Sequence, residues 1–536
     1  MRTEARASQW LLEPAEPDDP HPGIGRVRDR AAWSVGNDVR PLVHGATYFA
    51  ELLRCVRQMR SGDVLMFTDW RGDPDQLLAG PGTEVSRILC EAAARGVIVK
   101  GLVWRSHLDR FAMSEQENRH LGEEIEAAGG ECLRDMRVRP GGSHHQKFVV
   151  LRHPGRPELD VAFAGGIDLC HSRRDDARHH GDEQRQSMAA VYGDRPPWHD
   201  AQLAIRGPAV GDLEASFRER WTDPSPLTRN PVYRIVDALR HEDERPDPLP
   251  DQLPDPPEIG THTVQVLRTY PARRPPFPFA PGGERGVARA YQKAISSARS
   301  LIYVEDQYFW SAEIVRCFAD ALSQNPQLRL IAVIPRYPDQ DGRISSPPNL
   351  VGRQQALDLV RAAGAHRVGV YGIENHAGTP VYVHAKVCVV DDVWASVGSD
   401  NVNRRSWTHD SELSCVVLDE TLDGREPRSI DRFGDGARRF ARELRLELAR
   451  EHLDRAGGDD ADLIDPISAF DTFARSAERL QGWHDGRRQD ERPPGRLRPY
   501  RQEPLPRRTM LWAAPLYRVV YDPDGRPRPM RRRHEF

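Results

Sequence analysis

The chain has 536 residues, 38% of them hydrophobic and 29% charged, with a formal net charge of −4. That length exceeds one ordinary core and calls for two or three domains, while the near-neutral balance supplies no global drive toward nucleic acid. No run of eighteen apolar residues occurs, so no membrane-spanning helix is expected. The N-terminus lacks the apolar stretch of a secretory signal. The seven cysteines include no C-x-x-C, which argues against a disulfide framework or a zinc site, and they read as buried thiols. A cytoplasmic address, with peripheral contact at a membrane, is the expectation.

Residues 1–39, rich in Pro, Asp and Arg, read as an irregular lead-in. After Thr47, the residues Phe49, Leu52, Leu53, Val56 and Met59 share one helical face. Ser61-Gly62 then punctuates a buried strand, VLMFTDW. EVSRILCEAAARG is a second helix stopped at Gly96, VIVKGLVW a second strand and ENRHLGEEIEAAGG a third helix, before a strand bearing Lys147. The order recurs after residue 285: helix GVARAYQKAISSARS, strands SLIYVEDQYFW and LRLIAVIP, helix GRQQALDLVRAAGA and strand HRVGVYGI. FTDW (67–70) and VEDQYFW (304–310) hold corresponding places. Alternating helix and strand predict α/β layers, and the recurrence predicts duplication into halves at 40–225 and 259–460. A Pro/Asp-rich linker of limited flexibility, 226–258, joins them. In the extension 461–536, MLWAAPLYRVVYDPDG is expected as a strand or hairpin docked on the body. RPRPMRRRHEF is expected as a frayed, solvated tail.

The chemistry concentrates in two segments. VHAKVCVVDDVWASVGSDNVNRRS carries His384, Lys386 and Asp391 as H-x-K-x4-D, followed by Gly398, Ser399 and Asn401 as G-S-x-N. A second H-x-K, His145 and Lys147, lies 239 residues upstream. Of 76 Lys+Arg only four are lysines, Lys100, Lys147, Lys293 and Lys386, and two of them follow a histidine by two positions. With so few lysines chance gives roughly 0.15 such pairs. A retained lysine points to a need for a compact ammonium rather than a planar fork. On an extended chain, residues i and i+2 share a face, so each pair sets an imidazole beside an ammonium. Two facing copies supply a nucleophile and an acid on opposite sides of phosphorus, with cations for the phosphate oxygens. An imidazole in this role needs its far nitrogen held by a carboxylate. Glu412 in HDSEL and Asp200 in WHDAQL stand at matching places after the two motifs. Ser399, Asn401 and Asn403 are candidate donors to phosphate or braces for the lysines, and equally plain turn residues.

HAKVCVVDDVWASVGSDNVNRRSW resembles the second HKD motif of the phospholipase D superfamily, and HHQKFVV with AFAGGIDLC resembles the first. WHDAQLAIRGPAVGDLEASFRERW and IYVEDQYFW further resemble the phosphatidylcholine-type enzymes rather than the short nucleases. The resemblance implies two α/β/α sandwich halves about a pseudo-twofold axis, with the active site at their junction. It implies a phosphohistidine intermediate, no cofactor, no obligatory metal at the motifs, a phospholipid substrate at a membrane surface, and water or an alcohol as acceptor. It carries His145 over as nucleophile and His384 as general acid, with Lys147 and Lys386 clamping phosphate and Asp200 and Glu412 orienting the histidines. The first motif departs from the pattern: Arg152 stands where aspartate is expected, an insertion delays the next acid to Asp160, and Asp168 takes the place of Asn401. Asp160 either folds back into the missing role or belongs to a longer loop. The expected function is therefore a monomeric phospholipase D acting on phosphatidylcholine or phosphatidylethanolamine. The alternatives are a nuclease or other phosphodiesterase, disfavoured by charge, a cardiolipin synthase-like phosphatidyltransferase, and a non-enzymatic anionic-lipid binding module.

Overall fold

The computed structural model describes residues 7–13, 32–106, 115–239, 245–342, 346–427, 436–486, 488–501 and 504–536. Its frame is two sets of seven strands. The first set is β1 (Ser34–Val43), β2 (Val64–Asp69), β3 (Ile98–Trp104), β4 (Glu131–Asp135), β5 (Phe148–Arg152), β6 (Val161–Gly165) and β7 (Ala201–Arg206). The second is β8 (His262–Tyr270), β9 (Leu301–Glu305), β10 (Arg329–Val333), β11 (Val368–Ile373), β12 (Val387–Val390), β13 (Trp394–Gly398) and β14 (Glu412–Asp419). A short β15 (Leu497–Pro499) extends the second edge. All join one sheet of 16 strands, ordered β15-β11-β10-β9-β12-β13-β14-β8-β1-β7-β6-β5-β2-β3-β4, with Glu284–Arg285 paired off this path. Outward from the β8·β1 junction each strand of one set meets its counterpart in the other. In both halves the outer three strands run parallel and the remaining neighbours antiparallel.

Helices cover both faces, which is why the strands read as continuous apolar runs. Along β2, Val64 and Met66 enter one core while Leu65 and Phe67 enter another; along β9, Tyr303 and Val304 divide the same way. One core runs through both halves beneath the helices Ala209–Trp221 and Arg439–His452, and the opposite face of each half has a core of its own. The architecture is the expected pair of α/β/α halves, fused edge to edge.

Three expectations are corrected. Strand β1 begins at Ser34, inside the presumed lead-in, and Trp10, Leu11 and Leu12 are buried against the second half; residues 14–31 lie outside the described set. MLWAAPLYRVVYDPDG is not a strand. It forms the helix Arg507–Leu516 and a wider turn over Tyr517–Tyr521. Met510, Ala513, Ala514 and Tyr517 pack together at helical spacing against Trp310 and Val351, and Pro515, lacking an amide hydrogen, suits no interior strand. The final segment is anchored rather than frayed: Arg526 pairs with Glu313 at 2.5 Å and Phe536 is buried against Trp407. The linker is partly helical (Pro231–Leu239) and its later part lies on the first half, where Trp221 Nε1 donates to Asp247 O at 2.8 Å. Among the described residues no helix is long and apolar enough to cross a membrane.

Candidate active site

Both H-x-K segments, expected on strands, stand just before them: β5 opens at Phe148 and β12 at Val387. Because β5 and β12 run antiparallel to β2 and β9, this puts the motifs at the carboxyl ends of the parallel strands, where open α/β sheets bind ligands. Freed from the ladder, each segment pairs with the other half. His145 N donates to Ser411 O at 2.9 Å, and His384 N donates to His199 O at 2.8 Å. Tyr382–Val383 and Trp198–His199 form a two-strand parallel ladder, and the single bridge His144–Ser411 is its counterpart.

That exchange delivers the carboxylates crosswise. Glu412, from the second half, meets His145 Nδ1 at 2.8 Å; Asp200, from the first, meets His384 Nδ1 at 2.6 Å. Ser399 Oγ donates to the same Glu412 oxygen at 2.6 Å, and Trp198 Nε1 donates to Asp200 at 3.3 Å. With each Nδ1 engaged by a carboxylate, Nε2 is the ring nitrogen left for substrate. Burial works against the Asp200 carboxylate, but His384 and Lys386 hold it well below the usual range. Burial and the neighbouring Lys386 ammonium pull His384 down to about 3, so its imidazole is neutral at physiological pH.

The lysines flank the imidazoles. Lys147 Nζ donates to His145 O at 3.0 Å and lies 3.5 Å from Asp168; Lys386 Nζ donates to His384 O and, at 3.4 Å, to Gln307 Oε1. Burial, with Lys147 adding repulsion, lowers Lys386 to about 8, so it is a labile cation. Both histidines open on one cleft of about 690 Å³. Its walls include Trp70, Arg71, Arg173, Trp198, Tyr308 and Tyr382. Arg173 stacks 3.9 Å over the Trp198 ring, which itself lies 5.0 Å from the His384 ring.

Five expected site residues sit elsewhere than their assigned roles require. Asp391 is at the far end of β12 from the cleft, five residues or roughly 16 Å of extended chain past Lys386. There it accepts from the amides of Arg299, Ser300 and Leu301 at 2.7, 2.8 and 2.9 Å, so it is a brace rather than a catalytic group. Ser399 serves Glu412 rather than phosphate. Asn403 caps the helix Arg404–Thr408, accepting from Ser406 N at 2.7 Å. Asp168 is a buried carboxylate that accepts from Trp70 N at 3.2 Å; despite burial, Lys147 and Arg173 keep it ionised, so it holds Lys147 instead of receiving an anion. Asn401 is buried with its Oδ1 lacking a hydrogen-bond partner, so it accepts from neither lysine. Asp160 does not fold back toward the cleft. It pairs with Arg152 at 3.0 Å and accepts from His153 N at 2.6 Å. Sequence reasoning passed over Gln307 and Trp198 although both stand in quoted motifs, and passed over Arg173; Gln307 meets Lys386 and Tyr382 more than 70 residues on in its own half, Trp198 meets rings of the opposite half, and Arg173 stands on a long loop, none of which a local pattern signals.

Two family models match the chain: "Phospholipase D" over residues 79–268, containing the first H-x-K, and "Cardiolipin synthase, PLD-like domain" over residues 291–425, containing the second. Together they cover more than half of the sequence. Among curated relatives, phospholipase D1 of Saccharomyces cerevisiae is 25% identical over 569 residues, covering 89% of this chain and 32% of that protein. Phospholipase D alpha 1 of Cynara cardunculus is 24% identical over 458 residues, covering 64% of this chain and 56% of that protein. The chain thus spans about a third of the first relative and just over half of the second. Among solved structures, the phosphatidylserine synthase of Haemophilus influenzae Rd KW20 aligns with 71% of this chain and 82% of its own, at 14% identity and a TM-score of 0.49.

Proposed function

The chain belongs to the phospholipase D superfamily, and from that premise we propose that it is a phospholipase D. It cleaves the distal phosphodiester of a glycerophospholipid, phosphatidylcholine or phosphatidylethanolamine, to phosphatidic acid and the free headgroup alcohol. The observation that carries the proposal is the crossed pair: two imidazoles facing one cleft, each oriented by a carboxylate from the other half and flanked by a lysine.

In the first step one Nε2 attacks phosphorus, an N–P bond forms and the P–O bond to the headgroup breaks. The other imidazole gives its proton to the departing oxygen. Lys147 and Lys386 neutralise charge growing on the phosphoryl oxygens. In the second step the now neutral imidazole takes a proton from water or an alcohol, whose oxygen displaces the histidine. His145 as attacker and His384 as acid is the primary assignment. The reverse order has an observation in its favour: His384 is neutral in the free site, ready to attack as it stands. A bound phosphodiester raises its proton affinity by adding negative charge beside it, which is what the primary order uses. Quenching during turnover into an alkaline denaturant, where the N–P bond survives, and mapping the phosphorylated peptide decides between them.

The rings of Tyr308 and Tyr382 and the carboxylate of Asp339, all lining the cleft, suit a cationic headgroup. The chain carries both halves of its own site, so it works as a monomer, and it meets lipid as a peripheral protein. Supplying ethanol during phosphatidylcholine cleavage tests the whole reading. Product is expected to shift from phosphatidic acid to phosphatidylethanol; phosphatidic acid alone at every ethanol concentration means direct attack by water. Running phosphatidylglycerol and single-stranded DNA beside it, with products read by mass, exposes a phosphatidyltransferase or a nuclease. No turnover of any of them leaves a lipid-binding module.

A further inference from the structure

Directly behind the cleft lies a cluster the reaction does not use: His44, His179, His199 and Glu451, whose ligand-type atoms all fall within 4.8 Å of one another, with His452 and Glu305 alongside. All four imidazoles are buried. His44 Nε2 lies 2.6 Å from one Glu451 oxygen; His179 Nε2 and His199 Nδ1 lie 2.8 and 3.2 Å from the other.

The hydrogen bonds on the far nitrogens restrict what these contacts are. His179 Nδ1 is 3.1 Å from the carbonyl oxygen of Trp198, and a carbonyl only accepts, so Nδ1 bears the proton. His199 Nε2 is 2.6 Å from a Glu305 oxygen and bears its proton there. In their neutral forms both rings therefore aim a lone pair at Glu451, an acceptor facing acceptors. Either extra protons or a cation must stand between them. A ring N–H given to a carbonyl or carboxylate, with the other nitrogen turned inward, is the arrangement of metal-ligating histidine. Glu305 is itself held, by His452 Nε2 at 2.7 Å and by the Tyr303 hydroxyl at 2.5 Å, as an outer partner should be. Two of the three histidines also stand on backbone that side chains rarely adopt, with φ 68° at His44 and 56° at His179.

We propose that His44 Nε2, His179 Nε2, His199 Nδ1 and a Glu451 oxygen bind one divalent transition-metal ion, zinc by its donor set. Three imidazoles and a carboxylate fill a tetrahedron, and burial leaves no open position, so the ion is structural. The absence of C-x-x-C, which counts against cysteine sites, does not bear on such a site. The ion ties helix Arg439–His452 of the second half to three first-half segments. His199 is the residue before Asp200, and its carbonyl receives the His384 and Ala385 amides, so the ion steadies the segment that orients one imidazole without touching substrate.

The test is metal content of the untagged full-length chain by inductively coupled plasma mass spectrometry, after expression with added zinc and dialysis against a weak chelator. About one equivalent of zinc per chain is expected, falling severalfold in Glu451→Gln and His179→Gln. Should either variant fail to fold, cobalt(II) added to the metal-stripped unaltered protein gives the second reading, intense visible bands of a four-coordinate site. Metal-free protein that neither takes up zinc nor develops those bands overturns the proposal and makes the cluster a proton-held network. Metal retained in full by both folded variants overturns it as well, by placing the ion elsewhere.

Discussion

The two motif strands are alike at one end and opposite at the other. At the cleft end, histidine, lysine and an acid from the partner half recur in each copy. At the far end the charges are reversed. In the second half Asp391 and Asp392 make the turn after β12, both in the left-handed region that aspartate tolerates, and Asp392 receives Arg442 and Arg445 from the covering helix at 3.0 and 2.6 Å. In the first half Arg152 occupies the place of Asp391, and the covering helix answers with Glu214 at 2.9 Å while Asp160 adds a second carboxylate at 3.0 Å. A buried charge there needs a partner of opposite sign, and either sign will do. At the cleft end phosphate chemistry dictates the residue type, and the histidine and lysine are the same in both copies.

The strongest test of this division is to remove the cleft-end groups. His145→Ala and His384→Ala are each expected to lower kcat by at least about 10³-fold, and the double variant by little more, since nucleophile and acid act as a unit. Near-native turnover in either one breaks the two-histidine scheme. Next come the crossed acids: Glu412→Gln and Asp200→Asn should each cost about 10- to 100-fold with the fold retained, as removal of an orienting carboxylate does elsewhere. Steady-state kinetics with circular dichroism checks both.

A pH profile sharpens the comparison further. Lys386, lowered to about 8 by burial, is charged below that pH and loses its proton above it. The kcat/KM profile, which reports the free enzyme, should therefore fall on the alkaline side with a midpoint near 8. A flat profile to pH 10 or so would show instead that Lys386 keeps an ordinary lysine pKa and stays charged that far. The far-end residues carry the smallest effect on rate. Asp160→Ala and Asp391→Ala should leave turnover per folded molecule within about two-fold while costing about 1–4 kcal/mol of stability, from unpaired buried charge or orphaned amides. Denaturant titration alongside initial rates separates the two quantities.

How much of this was legible beforehand follows the range of the interactions. The apolar runs at Val64–Phe67 and Leu301–Val304 and the helical stripe from Phe49 to Met59 are local, and the elements they imply are present. The recurrence of H-x-K placed the site between two halves. What pattern reading missed is set by the other half or by packing. Which acid serves which histidine depends on a short parallel pairing across the junction. Asp391 shares the motif with His384 in sequence, yet a strand carries it away from the cleft. Met510, Ala513, Ala514 and Tyr517 had the helical period all along, obscured by the strand-like dipeptide Val519-Val520.

The crossed carboxylates also bear on how such a molecule comes to exist. A half-length chain that paired with its own copy about a twofold axis would bring together the same four groups, because each copy lends its acid to the other. Such a dimer must keep its copies identical, so any change at the far end of the strand appears twice. Joining the copies through one connecting segment lifts that constraint. Arg152 in one half and Asp391 in the other record the freedom so gained, while the shared centre still holds both halves to one design.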